Sequence, residues 1–378
     1  MPKSPTPIKS SIFTLCIDAR FWGVRNTGIG RYIEHLIANL PTDPSVRIVL
    51  VVPPDLKSEP KLKKFTKIYS HFHPYSLLAQ SEMFFLLWRL RPDLTHFTHF
   101  SIPVFWFGKF VVTIHDLIKH FSGGMSVTTR HPLVYLIKRV GYHLAMFVAV
   151  HRSSRIIVPA YFWSTQISQR YMISPQKIAV TYEGVSPSFA QSMPRSIIKY
   201  GLTQPYVMYT GNLYPHKNVS TLIAAIEHIN LQPSYAKHPL ILGIACARSV
   251  FEKRLPTSTC VKYLGRVPDE DLPSLYRHAQ AFVFPSLIEG FGLTGLEAMA
   301  SGCPVIAANA SVLPEIYGSA ALYFEPTNSY DLADKLLMLM GSNKLRHELI
   351  IKGKKQVSKY SWSKMGHKTW QIYQNALL

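Results

Sequence analysis

The sequence predicts an α/β protein with two doubly wound parallel sheets, each in its own Rossmann-like domain. Short runs rich in β-branched and aromatic residues alternate with segments of helical periodicity along the chain of 378 residues. These runs are too numerous for one sheet of this type. The stretch "GVSPSFAQSMPRS" (184–196) divides them into two series, because it is rich in Ser and Pro and has no clear period.

The two series define the predicted domains and elements. We expect an N-terminal domain over residues 1–187, a C-terminal domain over 188–360, and an amphipathic helix over 361–378 that packs back toward the N-terminal domain. Predicted strands occupy 12–17, 47–52, 94–98, 110–114, 155–158, 178–182, 206–210, 240–246, 261–264, 281–284 and 304–307. Predicted helices occupy 29–40, 130–150, 217–229, 271–279, 292–301 and 330–340.

The charge of the chain indicates an anionic partner. The formal net charge is +20, and residues 1–185 hold 22 Lys and Arg against 9 Asp and Glu. An anionic membrane surface, phosphorylated substrates or nucleic acid would suit this charge, and a basic composition without a specific partner is the alternative. No motif of a nucleic-acid-binding domain is present in the sequence, so nucleic acid is not the expected partner.

Cysteine usage and hydropathy predict a cytoplasmic protein. The four cysteines are far apart and no pair has metal-ligand spacing, which fits a reducing compartment. The apolar run at 12–17 is too short for the core of a signal peptide, and no uninterrupted apolar stretch reaches the ~20 residues that span a bilayer. We therefore expect a soluble protein, or one that lies on a membrane surface without crossing it.

Two strand-to-helix turns in the first half of the chain are candidate ligand sites. Ligands of open parallel sheets bind at the carboxyl ends of the strands. Gly28 and Gly30 end the loop after the first strand, where backbone amides could face an anion at a helix N-terminus; an ordinary glycine turn is the alternative. His115 and Asp116 follow the strand "FVVTI" and could face a cleft, unless His115 only caps the strand end.

A third turn follows the first strand of the second domain, in "YTGNLYPHKN" (209–218). Gly211 and Asn212 lie in this loop, and Lys217 is near the start of a helix, where a cation is unfavourable for the helix dipole. A bound phosphate between Lys217 and the helix N-terminus would explain the position. A solvated lysine is the alternative.

The fourth turn is "PSLIEGFGLTGLEAMASGCPVI" (285–306), which places Glu289 on a glycine loop and Glu297 about one turn into the next helix. The amides of Gly290, Phe291, Gly292 and Leu293 open that helix. A carboxylate beside a fan of N–H donors suits a polyhydroxylated, phosphorylated ligand, and Glu297 could accept both hydroxyls of a ribose. The alternative is a pair of acids favoured by the helix dipole.

These segments resemble the retaining GT-B glycosyltransferases of family four, the glycosyl transferases group 1. "FPSLIEGFGLTGLEAMASGCPVIA" resembles the E-x7-E signature of that family. The segments "IDAR", "GIGRY", "VVTIHD", "TGNLYPHKN", "YLGRVPDEDLPSLYRHA", "SVLPEIYGSAALYFEP" and "SWSKMGHKTWQIY" stand in the family's order over nearly the whole chain. The N-terminal segments are similar in particular to mannosyltransferases of bacterial O-antigen and capsule assembly.

The resemblance implies two Rossmann-like domains facing a cleft, with the acceptor on the N-terminal domain and a nucleotide-sugar donor on the C-terminal domain. On the C-terminal domain it implies that Lys217 contacts the donor diphosphate, Glu289 the transferred sugar and Glu297 the ribose, with Gly211 and Asn212 in the donor loop. Sugar hydroxyls and phosphate would contact Gly290, Phe291, Gly292 and Leu293, and the base would lie beside Arg266 and Val267. On the N-terminal domain, Gly28 and Gly30 would approach the diphosphate and His115 would lie beside the sugar.

One departure from the family concerns charge. Many members carry an Arg in the loop before the Lys, whereas this loop has Asn212 and His216, so Arg31 or Arg266 would have to replace it. "PDED" (268–271) contains an Asp-x-Asp pattern, which Asp269 explains as the N-cap of a helix. We therefore expect no metal and no cofactor, with Lys217 and helix N-termini neutralising the leaving group.

The resemblance also implies a reaction and its partners. Transfer retains the anomeric configuration, the acceptor attacks from the face that the diphosphate leaves, and Glu289 positions the sugar without acting as a nucleophile. GDP-mannose is the first expected donor and a UDP-sugar the second; the acceptor is a growing glycan or a polyprenyl-diphosphate-linked sugar. The basic and apolar segments 61–67 and 130–155 would contact the inner face of the plasma membrane, with a core helix as the alternative for 130–155. A catalytically weak GT-B scaffold is a further alternative.

Overall fold

The computed structural model describes residues 12–23, 27–121, 132–203, 205–246 and 251–377, and all that follows concerns these residues. They form two parallel sheets, of seven and six strands, with helices on both faces. The predicted fold class is confirmed, because each sheet has the doubly wound arrangement of a Rossmann-like domain.

The first sheet has the strand order β3-β2-β1-β4-β5-β6-β7, and all its pairs are parallel. The order reverses at β1, which pairs with β2 on one side and β4 on the other, so loops at the carboxyl end of β1 border a crevice. Its strands are β1 (Phe13–Asp18), β2 (Val46–Val52), β3 (Thr66–Tyr69), β4 (Leu94–Phe97), β5 (Phe110–Thr113), β6 (Arg155–Val158) and β7 (Ile178–Val180). Its helices are α1 (Thr27–Ala38), α2 (Leu77–Leu90), α3 (Ile118–Phe121), α4 (Pro132–Arg152) and α5 (Tyr161–Tyr171). The short helix α6 (Ser188–Gln191) follows β7 and packs against helices of the second sheet.

The second sheet has the order β10-β9-β8-β11-β12-β13 and is also parallel throughout. Its strands are β8 (Tyr206–Thr210), β9 (Ile241–Ala245), β10 (Val261–Gly265), β11 (Phe282–Phe284), β12 (Val305–Ala308) and β13 (Ala321–Phe324). The helices that follow β7 and α6 are α7 (Val219–Asn230), α8 (Leu272–His278), α9 (Leu293–Ala300), α10 (Leu313–Tyr317), α11 (Ser329–Met340), α12 (Asn343–Val357) and α13 (Trp362–Leu377).

Several predicted boundaries differ from the structure for local reasons. Helix α7 begins at Val219, because Pro215–Lys217 form a short 3-10 turn and Asn218 is left-handed with φ 55°. The prediction that Asp269 caps a helix is wrong: α8 begins at Leu272, and its N-cap position is Asp271. The Asp271 carboxylate makes no capping bond and instead accepts from the Tyr200 hydroxyl at 2.6 Å.

The C-terminal helix α13 returns to the first sheet. Trp362, Met365, Trp370 and Tyr373 are buried in a core that also contains residues of α1 and β1. The Trp362 ring stacks on His35 of α1 with 4.3 Å between ring centroids. The last helix therefore ties the end of the chain to the N-terminal domain.

Helix α4 carries an exposed apolar face. Its residues Ala145, Met146, Ala149 and Val150 are buried, and the apolar side chains exposed on the helix are Leu133, Val134, Leu136, Ile137, Val140, Leu144 and Phe147. No uninterrupted apolar run in the sequence is long enough to span a bilayer. By length and composition alone, however, the helix over Leu133–Arg152 is long and apolar enough to cross a membrane. The predicted start of this helix at residue 130 lies outside the described residues.

Candidate active site

The loops after β5 and β11 meet between the two sheets. A Cβ atom on Gly290 would lie 3.2 Å from the carbonyl oxygen of His115, so the two backbones are in contact across the cleft. Trp163 of α5 donates its indole N–H to the carbonyl of Gly290 at 2.8 Å. Two of the four predicted turns therefore face each other, and glycine at 290 allows their close approach.

Lys217 and Glu289 form an ion pair at the centre of this cleft. Lys217 Nζ lies 2.5 Å from Glu289 Oε1, and both side chains are largely buried. Asn218 fixes the lysine loop, because its side-chain amide donates to the carbonyls of Pro285 and Pro326 at 3.1 and 2.6 Å. The anion beside Lys217 in the structure is thus the Glu289 carboxylate.

The backbone at Glu289 is held by Ser311. The Glu289 N–H donates to Ser311 Oγ at 3.2 Å, and the same hydroxyl lies 3.3 Å from the Glu289 carbonyl oxygen. The neighbouring Leu287 N–H donates to the His216 carbonyl at 2.9 Å, which joins this loop to the lysine loop. The sequence analysis missed Ser311, since a Ser in "ANASVLPE" has no spacing signal toward residue 289.

The N-terminus of α9 is shaped by its glycines. Gly292 is left-handed with φ 93°, and its carbonyl accepts from the Tyr317 hydroxyl at 2.6 Å. A Cβ on Gly295 would lie 2.2 Å from that hydroxyl oxygen, so only glycine at position 295 leaves room for the Tyr317 side chain. Phe291 is buried, and Leu293 begins the helix, whose first amides have no partner within it.

Glu297 is buried on α9 and paired across the cleft. Its Oε1 accepts from Arg31 Nη1 of α1 at 2.6 Å, and Arg31 Nη2 donates to Asp269 Oδ2 at 2.6 Å. Burial raises the pKa of Glu297 to about 7, because desolvation outweighs the nearby guanidinium. Within the described residues, Glu297 Oε2 has no hydrogen-bond partner. A buried carboxylate oxygen is therefore open to a donor from a ligand.

His115 is held by protein groups. Its Nε2 lies 3.0 Å from the Thr98 carbonyl oxygen, and its Nδ1 lies 3.8 Å from Glu183 Oε1. The ring packs edge-on against Tyr32 at 4.8 Å between centroids. Next to it, burial raises the pKa of the Asp116 carboxyl. The structure places His115 beside the glycine loop of Glu289, with its ring turned toward β4.

Gly28 and Gly30 lie within the first turn of α1, not in the loop before it as predicted. A Cβ on Gly30 would lie 1.9 Å from the Gly23 carbonyl oxygen, so this glycine is required for packing. Gly28 is exposed, and a Cβ atom there would have no atom of the described residues within 4 Å. Of the two glycines at the expected anion site, Gly30 is therefore needed for packing, whereas the space around Gly28 is open among the described residues.

The other residues expected around the donor lie at the carboxyl ends of β8 and β10. The Tyr209 hydroxyl donates to the Asn212 carbonyl at 2.6 Å, and a Cβ on Gly211 would lie 3.0 Å from that hydroxyl. Arg266 is exposed and Val267 is partly buried. Burial lowers the pKa of His216 to about 4, so its neutral ring does not replace the missing loop arginine.

Both aspartates of the Asp-x-Asp pattern at 269–271 form ion pairs with basic side chains of the protein. Asp269 pairs with Arg31, and Asp271 Oδ2 lies 2.7 Å from Lys199 Nζ. Across the described ranges, no cluster of three or more His, Cys, Asp or Glu is arranged to hold a metal ion.

Comparison with known proteins identifies the family. Glycosyl transferases group 1 matches residues 195–356, and Glycosyltransferase Family 4 matches residues 26–189. O-antigen chain mannosyltransferase B of Escherichia coli is 27% identical over 92% of this chain and 96% of its own length. Anabaena HepE, solved in complex with UDP and glucose, has a TM-score of 0.71 at 16% identity over 96% of this chain and 100% of its own. WaaG, a glycosyltransferase of lipopolysaccharide biosynthesis, has a TM-score of 0.69 at 16% identity over 96% and 99%. The chain, with its two facing parallel-sheet domains, belongs to the GT-B glycosyltransferases of family 4, the glycosyl transferases group 1.

Proposed function

We propose that this glycosyltransferase moves mannose from GDP-mannose to a growing glycan or lipid-linked acceptor, with retention of configuration and without a metal ion. The observation that carries the proposal is that Lys217 pairs with Glu289 on the loop before α9, while Glu297 on α9 has an Oε2 atom without a partner among the described residues. These groups supply a cation and two carboxylates to a ligand that has both phosphates and hydroxyls.

The donor would lie along the cleft with its nucleotide toward α1 and β10. The ribose hydroxyls would donate to Glu297, while Arg266 and Val267 would border the base. The diphosphate would meet Lys217, the first amides of α9 and the open turn at Gly28. Since Lys217 is paired with Glu289 in the free protein, an arriving diphosphate would draw the ammonium onto phosphate oxygens. That exchange frees Glu289 to accept hydrogen bonds from the sugar.

The chemical step would break the bond between the anomeric carbon and the diphosphate oxygen and form a bond from the same carbon to the acceptor oxygen. The departing phosphate would accept the acceptor's proton, so both events occur on one face of the sugar. Lys217 and the α9 amides would stabilise the charge that develops on the leaving diphosphate. Glu289 would orient the sugar, and its ion pair with Lys217 suits a positioning group.

The donor identity rests on relatives. O-antigen chain mannosyltransferase B supports mannose, and the O-antigen chain mannosyltransferase RfbU of Salmonella typhimurium, 28% identical over 61% of this chain and 60% of its own, supports it too. The UDP bound in HepE keeps a UDP-sugar as the second candidate. The proposed acceptor is likewise drawn from the O-antigen relatives.

We further propose a cytoplasmic location with peripheral binding at the inner face of the plasma membrane. The exposed apolar face of α4 has Lys138 and Arg139 on the same helix, and Phe85 and Trp88 of α2 are exposed as well. An apolar face next to basic side chains suits an anionic interface. Flotation with phosphatidylglycerol vesicles tests this: the protein should move into the lipid fraction, and the double variant Val140→Ser, Leu144→Ser should not.

Thermal-shift titration tests the donor site. GDP, UDP, ADP and their common sugar conjugates are added in EDTA, because a ligand that binds only the folded state raises the melting temperature. GDP and GDP-mannose should raise it, and Lys217→Ala should abolish the rise. A rise with UDP-sugars alone would mean that the donor is a UDP-sugar and not GDP-mannose. No rise with any nucleotide would contradict the proposal and favour a GT-B scaffold.

A further inference from the structure

An open groove begins beside the backbone of the Lys217–Glu289 pair, and Arg31 is not among its described lining residues. Its inner part encloses about 350 Å³ between the two domains and is bordered by Phe162, Leu287 and Ile288. Ile288 directly precedes Glu289, and His216 of the same wall directly precedes Lys217. The inner groove therefore starts at the backbone of the two residues that would hold the transferred sugar.

The groove continues along the N-terminal domain. Its outer part encloses about 690 Å³ over α5 and the end of α4, where His143, Gln169 and Tyr171 line it. Phe121 and Gln166 line both parts, so they form one path from the cleft to the surface. Gln166 and Gln169 lie three residues apart on α5 and share one face of that helix.

The side chains along this path suit a neutral carbohydrate. Each Gln amide offers donors and an acceptor without charge, as pairs of sugar hydroxyls require. The rings of Phe121 and Tyr171 offer apolar surfaces on which the C–H face of a sugar can pack. Burial lowers the pKa of His120 to about 4 and also lowers that of His143, so both rings are uncharged at pH 7. The ring nitrogens of His120 already pair with the hydroxyls of Tyr142 and Tyr171. Among the described lining residues, Arg170 is the one permanent cation.

The groove does not include the proposed nucleotide end of the donor site. Arg31, Asp269 and Glu297 mark that end, and none of them is among the described residues that line the groove. An acceptor must approach the sugar from a side that the nucleotide does not occupy. We infer that the groove binds the terminal residues of a neutral glycan acceptor, and that Gln166 and Gln169 determine which glycan is accepted. This inference rests on the proposed function.

Binding of an unreactive probe tests the groove separately from the donor site. Saturation-transfer NMR and titration with α-linked mannotriose are run in the presence of GDP, on the full chain and on Gln166→Ala, Gln169→Ala and their combination. Each lost hydrogen bond should weaken mannotriose binding about fivefold. The Kd of GDP should stay within about twofold, and Gln176→Ala, exposed on the same domain, should change neither.

Three results would overturn the inference. Mannotriose could bind the Gln variants as tightly as it binds the unaltered chain. It could fail to bind the unaltered chain while GDP binds. Inorganic pyrophosphate at millimolar concentration could displace it, which would assign the groove to a phosphate group. A chain that binds mannotriose in the groove but no nucleotide would support the groove and refute the proposed donor.

Discussion

We predict that donor affinity depends on pH through the pair of Arg31 and Glu297. The charged and titratable groups that face Glu297 are Arg31, Asp269 and Tyr276, and burial raises the pKa of Tyr276 well above its usual range. Glu297 itself has a pKa of about 7 in the free protein. Only its ionised form accepts two hydroxyl hydrogen bonds, so protonation competes with the proposed ribose contact.

The expected size follows from the ionised fraction. At pH 6, about one tenth of Glu297 is ionised, and the apparent Kd of GDP-mannose should be about tenfold weaker than above pH 8. Arg31→Met removes the guanidinium that favours the carboxylate, which should raise the pKa of Glu297 by about one to two units. Affinity at pH 7.5 should then fall about 3- to 25-fold relative to the unaltered chain.

Isothermal titration with GDP-mannose from pH 6 to pH 9 measures this dependence. Glu297→Gln is the control, because it has no titrating group at this position and its profile should be flat. Arg31→Lys should keep most of the affinity, since a cation remains. If the unaltered chain bound GDP-mannose equally well at pH 6 and pH 8, ionisation of Glu297 would not control donor affinity. If Arg31→Met left the midpoint of the pH dependence unchanged, Arg31 would not set the pKa of Glu297.

Three stability predictions follow from the same contacts. The folded state raises the pKa of Glu297 from 4.5 to about 7, so its contribution to stability is complete below pH 4.5 and is lost as the pH rises to about 7. The melting temperature of the unaltered chain should therefore fall relative to the melting temperature of Glu297→Gln between pH 5 and pH 8. Gly30→Ala places a Cβ 1.9 Å from a backbone carbonyl oxygen and should cost about 1–3 kcal/mol or more in urea unfolding, whereas Gly28→Ala should be neutral or slightly stabilising. Tyr373→Phe removes the hydroxyl that lies 2.6 Å from Nδ1 of buried His96 and should cost about 1–3 kcal/mol by the same assay.

Each stability prediction has a contradicting outcome. Parallel melting curves for the unaltered chain and Glu297→Gln across this pH range would mean that Glu297 titrates near its ordinary value. Equal unfolding free energies for Gly30→Ala and Gly28→Ala would mean that the turn before α1 relaxes freely. Tyr330→Phe, at an exposed residue, is the control for Tyr373→Phe and should leave the free energy of unfolding unchanged.

Local patterns predicted the central strands and two of the four edge strands, Ile178–Val180 and Val261–Gly265. The central strands are buried on both faces, and their continuous apolar runs are visible in sequence. The edge strands Thr66–Tyr69 and Ala321–Phe324 were not predicted, because they are short and only partly buried, with Thr66 and Lys67 breaking the apolar run of the first.

The sequence singled out Lys217, Glu289 and Glu297 as candidate site residues, but it did not predict which residues pair with them. Lys217 and Glu289 are 72 positions apart, and Arg31 and Glu297 are 266 apart, so no local pattern joins them. The assignment of Asp269 as a helix cap failed for the same reason: its partner Arg31 comes from the other domain. Trp163 was missed because no helix was predicted over 161–171, and only the fold brings its N–H to the Gly290 carbonyl.

The central claim is that the chain transfers mannose from GDP-mannose with retention and without metal. Proton NMR of the anomeric region tests it directly, with GDP-α-mannose and mannotriose incubated with the protein in EDTA. We predict an α-linked product and stoichiometric GDP, both lost in Lys217→Ala. A β-linked product would exclude retention, and transfer that requires added Mg²⁺ or Mn²⁺ would exclude a metal-independent reaction.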